Sequence, residues 1–228
     1  MLRKWEDLPQ EMRTEEVRPY YDLLRRKQGS LLCKRLFDIL ASLVLLVLLS
    51  PVFLVLAIAI KLDSHGPVFY RQVRIGRGGK PFRIYKFRSM VVDADKKGLP
   101  ITVGGDSRIT RVGAFLRRTK LDELAQILNV LAGQMSFVGP RPEVPRYVER
   151  YTPYQRQVLL VRPGITDYAS IAYRRENDML AGAADPERMY VEEIMPAKIE
   201  LNMKYIREIS PAADIRLIFR TIAAVAKD

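Results

Sequence analysis

The chain has 228 residues and a formal net charge of +12, enough for one medium domain beside a membrane element. Such an excess of lysine and arginine points to a polyanionic partner, either anionic lipid headgroups or phosphorylated substrates. No zinc, RNP or helix-turn-helix signature favours nucleic acid. The single cysteine, Cys33, excludes an internal disulfide and suits a cytoplasmic face, while the single histidine, His65, argues against a histidine metal cluster or a Ser-His-Asp triad.

Residues 1–30 are polar and charged, with Pro9, Pro19 and Gly29 as breaks. They read as a peripheral extension on the headgroups, with short helical pieces at Leu8–Val17 and Tyr20–Lys27. Residues 31–63 form the membrane segment. From Ile39 to Ile60 no side chain is charged, and a straight helix over that run would be roughly 33 Å long, close to the hydrocarbon thickness of a bilayer. The run starts too late, and lacks the small-residue cleavage site, for a secretory signal. Ser50-Pro51 interrupts it. Proline removes a backbone donor and clashes with the preceding turn, so a kink or break is expected there. The Ser50 hydroxyl is a candidate partner for the freed carbonyl. Both flanks are basic, with Arg25, Arg26, Lys27, Lys34 and Arg35 before the run and Lys61, Arg71 and Arg74 after it. A re-entrant hairpin on the cytoplasmic face satisfies both flanks and a straight span satisfies one; on these residues the two readings stay level. Asp38, one turn in, reads as an acid tolerated near a helix N-terminus.

Residues 64–228 read as a cytoplasmic domain. Val68–Ile75 and Pro81–Phe87 alternate β-branched or aromatic residues with basic ones and predict an antiparallel hairpin closed by Gly76–Lys80. GRGGK shares glycines and a lysine with a phosphate loop but lacks the GxxxxGK[ST] spacing and the following helix, so it reads as a turn. Asp93 and Asp95 form a DxD pair, a pattern too common by chance to carry a metal site alone. Leu121, Leu124, Ile127, Leu128 and Leu131 recur at helical spacing within 113–131, with Thr119 as N-cap and Asp122 three residues on. Acids in a first turn complement the helix dipole and need no further role. Arg117, Arg118 and Lys120 nearby would nevertheless hold Asp122 and Glu123 ionised, the form that binds Mg²⁺ or attacks phosphorus.

Gly139-Pro140-Arg141-Pro142 is a rigid extended segment, and a pre-organised guanidinium suits a diphosphate. Arg162-Pro163-Gly164-Ile165-Thr166 again sets an arginine beside a turn. Residues 185–207 predict a charged amphipathic helix broken at Pro196. Ser210-Pro211 opens a last helix with Ile215, Ile218, Phe219, Ile222 and Val225 on one face, flanked by Arg216 and Arg220, as in a helix lying in a membrane interface.

Seven segments occur in order: KRLFDI (34–39), Ser50-Pro51, GPVFYRQ with its following basic turn (66–76), F.IYKFRSM (82–90), R..LDEL.Q (118–126), SFVGPRP (136–142) and RPGIT (162–166). On these the chain resembles the bacterial sugar transferase family, the monotopic polyprenyl-phosphate phosphoglycosyl transferases. The resemblance implies an α+β, mostly helical fold, with a re-entrant membrane hairpin broken at Ser50-Pro51, interfacial amphipathic helices and a small antiparallel sheet. It implies transfer of a sugar-1-phosphate from a UDP-sugar to polyprenyl phosphate with release of UMP, on the inner leaflet of the bacterial cytoplasmic membrane. Asp122 is then the nucleophile and a contact of the required Mg²⁺, with Glu123 its partner. Arg117 and Arg141 would handle phosphate, with Lys86, Arg88 and Arg162 as further substrate-binding candidates. The resemblance also implies the minimal catalytic form and leaves a homodimer open. Asp167, where many relatives carry glycine, and the segment YASIAYRREN depart from the family pattern in a region expected to face the nucleotide or sugar. A non-enzymatic membrane-surface protein would explain the charge and the apolar run, but not LDEL, GPRP and RPGIT together.

Overall fold

Proline sets the first helix boundaries. In a computed structural model, which describes residues 2–94 and 106–225, Pro19 lies in the first turn of α1 (Arg18–Arg26) and Pro51 in the first turn of α3 (Ser50–Asp63). Between them runs α2 (Gln28–Leu48). Helices α2 and α3 meet at Leu49 with a bend of 62°. Pro51 has no N–H to give the carbonyl of Val47, and Ser50 Oγ donates to that carbonyl instead, at 2.8 Å. Among the described residues no single helix is long and apolar enough to cross a membrane; the bent pair together has the length and composition. Val47, Leu48 and Leu62 on the pair are 74%, 67% and 84% exposed, so its outward surface has no cover among the described residues.

Strands β1 (Phe69–Ile75) and β2 (Pro81–Phe87) pair antiparallel, with Phe69 opposite Phe87 and Ile75 opposite Pro81. This is the expected hairpin, one residue shorter at its start. Gly78 and Gly79 sit at φ 68° and 71° in the turn, where side chains are strained. The helix expected after Thr119 is two pieces instead, a 3-10 segment Leu121–Gln126 and α5 (Ile127–Leu131), and a separate helix, α4 (Arg111–Arg118), precedes them. Lys120, at φ 58°, makes the break. Thr119 therefore ends a helix rather than starting one, and its hydroxyl donates back to the Phe115 carbonyl at 2.8 Å.

The remaining elements are β3 (Ser136–Val138), α6 (Pro145–Val148), β4 (Gly164–Thr166), α7 (Tyr168–Ala172), α8 (Glu176–Ala181), α9 (Pro186–Met189), α10 (Met195–Glu208) and α11 (Pro211–Val225). Strands β3 and β4 pair in parallel, a pairing too short to be read from pattern. Pro196 does not break the chain. It lies in the first turn of α10, directly after a π-helical turn at Tyr190–Ile194, whose wider register accommodates the missing donor. The buried face of α10, including Ile199, Met203 and Ile206, lies in the main core.

Two other expectations are corrected. Residues 2–26 are no peripheral extension: Leu8, Met12, Val17 and Leu24 are buried in the main core with Ile194 and Met203. Helix α11 is apolar on two sides. Ala213 and Leu217 face inward, while Ile215, Phe219 and Ile222 are exposed; the side chain of Val225 lies outside the described residues. The Ser210 cap holds, its Oγ accepting from the Ala213 amide at 3.2 Å. The fold is thus α+β and mostly helical with a small antiparallel sheet, and a second cluster of Leu56, Ile60, Phe87, Leu116 and Ala125 docks α3 onto β2 and α4.

Arg88 completes that docking. It is buried, and its guanidinium donates to the carbonyls of Ile60, Ser64 and His65 and to Ser64 Oγ, closing the C-terminal end of α3. Arg88→Ala should strand those carbonyls and cost about 3 kcal/mol. For a chain of this size that is a fall of roughly 6–12 °C in thermal midpoint, measurable by melting in detergent. An unchanged midpoint would contradict the capping role.

Candidate active site

Three elements converge on Glu123. Lys86, on β2, donates from Nζ to Glu123 Oε1 at 2.9 Å. Arg141, in the Gly139–Pro142 segment, donates from Nη2 to Oε1 at 2.5 Å and from Nη1 to Oε2 at 3.2 Å. This is a two-pronged guanidinium–carboxylate pair joined by a lysine. The preceding residue, Asp122, is buried at 8% exposure. Among the described residues its carboxylate accepts no hydrogen bond. Arg117, in the last turn of α4, is tied to Ser89 Oγ through Nε at 3.1 Å and lies near enough to favour the charged form of Asp122.

The two carboxyls are driven apart. Burial pushes Asp122 above the usual aspartate value; Glu123 adds to the rise, and Lys86, Arg117 and Lys120 oppose it. Burial acts on Glu123 in the same direction, but Arg141 and Lys86 outweigh it and hold this carboxyl well below the usual range. Glu123 is thus a fixed anion saturated by cations, and Asp122 is the carboxylate with free oxygens. A helix dipole contributes little here, because the segment carrying both acids is six residues of 3-10 helix and not the long helix expected.

The Arg141 segment is anchored by backbone. Gly139 N donates to the Thr166 carbonyl at 3.1 Å and Gly164 N to the Pro140 carbonyl at 3.0 Å. The chains lie so close that a Cβ on Gly164 would fall 2.1 Å from Gly139 N. The amide of Arg141 donates to Asp167 Oδ2 at 2.7 Å, while Asp167 Oδ1 accepts from the Ser170 amide to cap α7. Asp167 is fully buried. The departure expected to face nucleotide or sugar is therefore a brace behind Arg141. Glu143, which sequence reading missed, does similar work: it accepts from Tyr190 OH and lies 3.8 Å from Arg74 Nη1, which itself donates to the Pro142 carbonyl.

Of the candidates, Asp122, Glu123, Lys86, Arg141 and Arg117 are brought together. Arg88 and Arg162 are not. Arg88 closes α3, and Arg162 donates to the Gly133 carbonyl at 2.8 Å in a separate crevice. Asp93 is exposed and backbone-strained at φ 61°, and Asp95 lies outside the described residues. Among the described residues no group of three or more His, Cys, Asp or Glu is placed to hold a metal.

A model of the bacterial sugar transferase family matches residues 29–228. The chain belongs to that family. It is 42% identical over 217 residues to the UDP-glucose:undecaprenyl-phosphate glucose-1-phosphate transferase of Escherichia coli K12, covering 93% of this chain and 44% of that protein. It is 40% identical to a UDP-N-acetylgalactosamine-undecaprenyl-phosphate N-acetylgalactosaminephosphotransferase of Aeromonas hydrophila, over 84% of this chain and 43% of that protein. It is 41% identical to the exopolysaccharide production protein PSS of Rhizobium leguminosarum, over 85% of this chain and 95% of that protein. The chain thus spans under half the length of several relatives it matches. Their names carry two different sugars at nearly equal identity, so overall similarity does not select a donor.

The contrast between the two acids has a measurable consequence. Glu123→Gln leaves Arg141 and Lys86 without their counter-charge and should cost about 3 kcal/mol at pH 7. The depressed carboxyl of Glu123 stabilises the fold above the unfolded carboxylate range, and that contribution is lost as pH falls through its folded value. Asp122 has the opposite sign: its raised value means stability declines as pH rises through the carboxylate range. Asp122→Asn should therefore melt at or above the wild-type temperature at pH 7. Equal falls in both variants would contradict this division between the acids.

Proposed function

We propose that the chain transfers a sugar-1-phosphate from a UDP-sugar to undecaprenyl phosphate, with release of UMP. The observation that carries the reading is the carboxylate of Asp122, which accepts no hydrogen bond among the described residues, beside a Glu123 held by Lys86 and Arg141, in a chain matched by the family model over 29–228. The relatives' names, which specify undecaprenyl phosphate as acceptor, support the substrate classes.

In this reading an oxygen of Asp122 attacks the sugar-bearing phosphorus, the bond to the bridging oxygen breaks, and UMP departs with the electron pair. The phosphosugar is then an acyl phosphate on Asp122. An oxygen of undecaprenyl phosphate attacks the same phosphorus and restores the carboxylate. Glu123 does not react; it positions Arg141 and Lys86, whose remaining N–H groups meet the diphosphate. Arg117 keeps Asp122 ionised between turnovers. Mg²⁺ fits this donor set, because it commonly takes one or two carboxylates and completes its shell with substrate phosphates and water. Asp122 has oxygens to offer and Glu123 does not. Bound there, Mg²⁺ would neutralise charge developing on the leaving UMP.

The bent pair α2–α3, its uncovered apolar surface and its basic flanks support a re-entrant hairpin in the inner leaflet, with the remaining chain on the cytoplasmic face of a bacterial inner membrane. Exposed Ile215, Phe219 and Ile222 on α11 support an interfacial seat for that helix.

The test is UMP release from a panel of UDP-sugars with undecaprenyl phosphate and Mg²⁺, the protein held in nanodiscs. Asp122→Asn should lower the rate at least 10³-fold, as loss of a nucleophile does, and EDTA should abolish release. Activity should fall as pH drops through the raised value of Asp122, since only the ionised form attacks. Full activity in Asp122→Asn would sink the nucleophile assignment. No release with any donor, in folded protein, would favour a membrane-surface binding role.

A further inference from the structure

The segment that carries Arg141 is pinned on both sides. On its N-terminal side stand the Thr166 carbonyl and Asp167. On its C-terminal side two consecutive carbonyls are taken up by β1. Arg74 Nη1 donates to the Pro142 carbonyl at 3.0 Å, and the Ile75 amide donates to the Glu143 carbonyl at 2.9 Å. Arg74 is itself steered by Gln72, whose Oε1 accepts from Nε and Nη2 at 3.1 and 2.7 Å. The Glu143 carboxylate brings in a third element. Its Oε2 accepts from the Val144 amide at 3.1 Å, and its Oε1 accepts from the hydroxyl of Tyr190, 47 residues further along the chain.

Tyr190 heads the π-helical turn between α9 and α10, a rare geometry that recurs at functional positions. None of the side chains bonded to Glu123 comes from these helices. Tyr190 is 5% exposed, and its ring is held on two sides. The Tyr147 ring lies 4.9 Å away, and Lys198 Nζ lies 5.3 Å from the ring centroid, tied in turn to Glu176 at 2.8 Å. Phenylalanine would serve this packing equally well. Burying a hydroxyl has a cost that only a hydrogen bond recovers, and here the bond goes to the residue two beyond Arg141.

We propose that Tyr190 is a positioning residue: through Glu143 it sets where Arg141 presents its guanidinium to the donor. The assignment rests on Arg141 meeting the diphosphate, as proposed above. A pre-organised fork loses much of its advantage when displaced, and a shift of about 1 Å at a reacting centre can cost 10²-fold.

The full chain in nanodiscs is titrated calorimetrically with UDP in the presence of Mg²⁺. Tyr190→Phe keeps the ring and removes only the hydroxyl. It should weaken UDP about 5-fold at unchanged stoichiometry, the effect of roughly one misplaced hydrogen-bonding group. KM for the UDP-sugar in the UMP assay should rise by a similar factor. Loss of packing alone would lower the fraction of binding-competent protein and leave the affinity of the rest unchanged. A double-mutant cycle decides whether the effect runs through Arg141. In an Arg141→Lys background, Tyr190→Phe should weaken UDP by less than about twofold, because the group it positions is gone. The same result is expected in a Glu143→Gln background, and this second cycle decides the matter where Arg141→Lys does not fold or binds UDP too weakly to measure. An undiminished loss in these backgrounds, or unaltered UDP affinity in folded Tyr190→Phe, would overturn the positioning role. A wild type that releases UMP while the cycle shows no coupling would overturn this inference alone. Coupling in UDP binding without UMP release would count against the proposed reaction and leave the role of Tyr190 standing. A folded wild type that does not bind UDP would overturn both.

Discussion

The polar root of one apolar helix holds the molecule together. Within five residues of α2, Lys34 forms a buried pair with Asp214 of α11, Arg35 takes the carbonyls that end α5, and Asp38 accepts from Ser136 and Phe137 of β3. Tyr205 of α10 also donates to Asp214, at 2.7 Å. Buried charges carry a desolvation penalty and are tolerated when fully paired. Here the pairing fixes α2 against three other elements, with α10 joined through Asp214, so the direction of the apolar pair and the position of the strand leading into Arg141 are set by one cluster. A neutral root could pack as well but would not fix rotation about the helix axis, because apolar contact is non-directional.

The carboxylate proposed to react, Asp122, is positioned by its neighbour. Two cations near two adjacent acids could have paired one with each. They pair instead with Glu123, and Asp122 is left buried with no hydrogen bond among the described residues. That arrangement costs stability at Asp122 and gains it at Glu123, a division often met where a site needs one reactive and one structural group. The braces are layered behind it: Asp167 holds the Arg141 amide, and Glu143, Tyr190 and Arg74 hold the following proline.

Motifs with a local cause were legible in the sequence. The hairpin follows from alternation and a glycine turn, the bend from Pro51, and the α11 cap from Ser210. Asp122, Glu123, Lys86 and Arg141, which the structure brings together, were singled out through ordered motifs rather than through spacing. What stayed hidden depends on partners distant in the chain. Arg88 read as a substrate-binding candidate until α3 and the loop after it supplied three carbonyls. Asp38 looked like a helix-end acid until β3 arrived opposite it, and Asp167 looked like a substrate residue until the Arg141 amide was seen against it. Residues 1–30 read as periphery because Leu8, Met12, Val17 and Leu24 lie at irregular spacing, which periodicity cannot register. The helix expected after Thr119 starts instead as 3-10 at Leu121, because Lys120 reverses the backbone for one residue and a helical apolar pattern does not register that.

The bend and the root together bear on how deep the apolar pair can reach. Above Asp38 only ten residues of α2 remain before Leu49, a rise of about 15 Å, half the hydrocarbon thickness of a bilayer. Helix α3 then turns by 62° and runs to Asp63, whose carboxylate accepts from the Val112 amide at 3.0 Å in the same domain that holds Asp38. Both ends of the pair are thus bonded into one body, and a straight crossing would need one of those polar ends to leave it. Since Asp38 and Arg88 are both buried and bonded into the domain, the stability of the domain itself opposes straightening. This is the physical argument behind the proposed hairpin that enters one leaflet and returns.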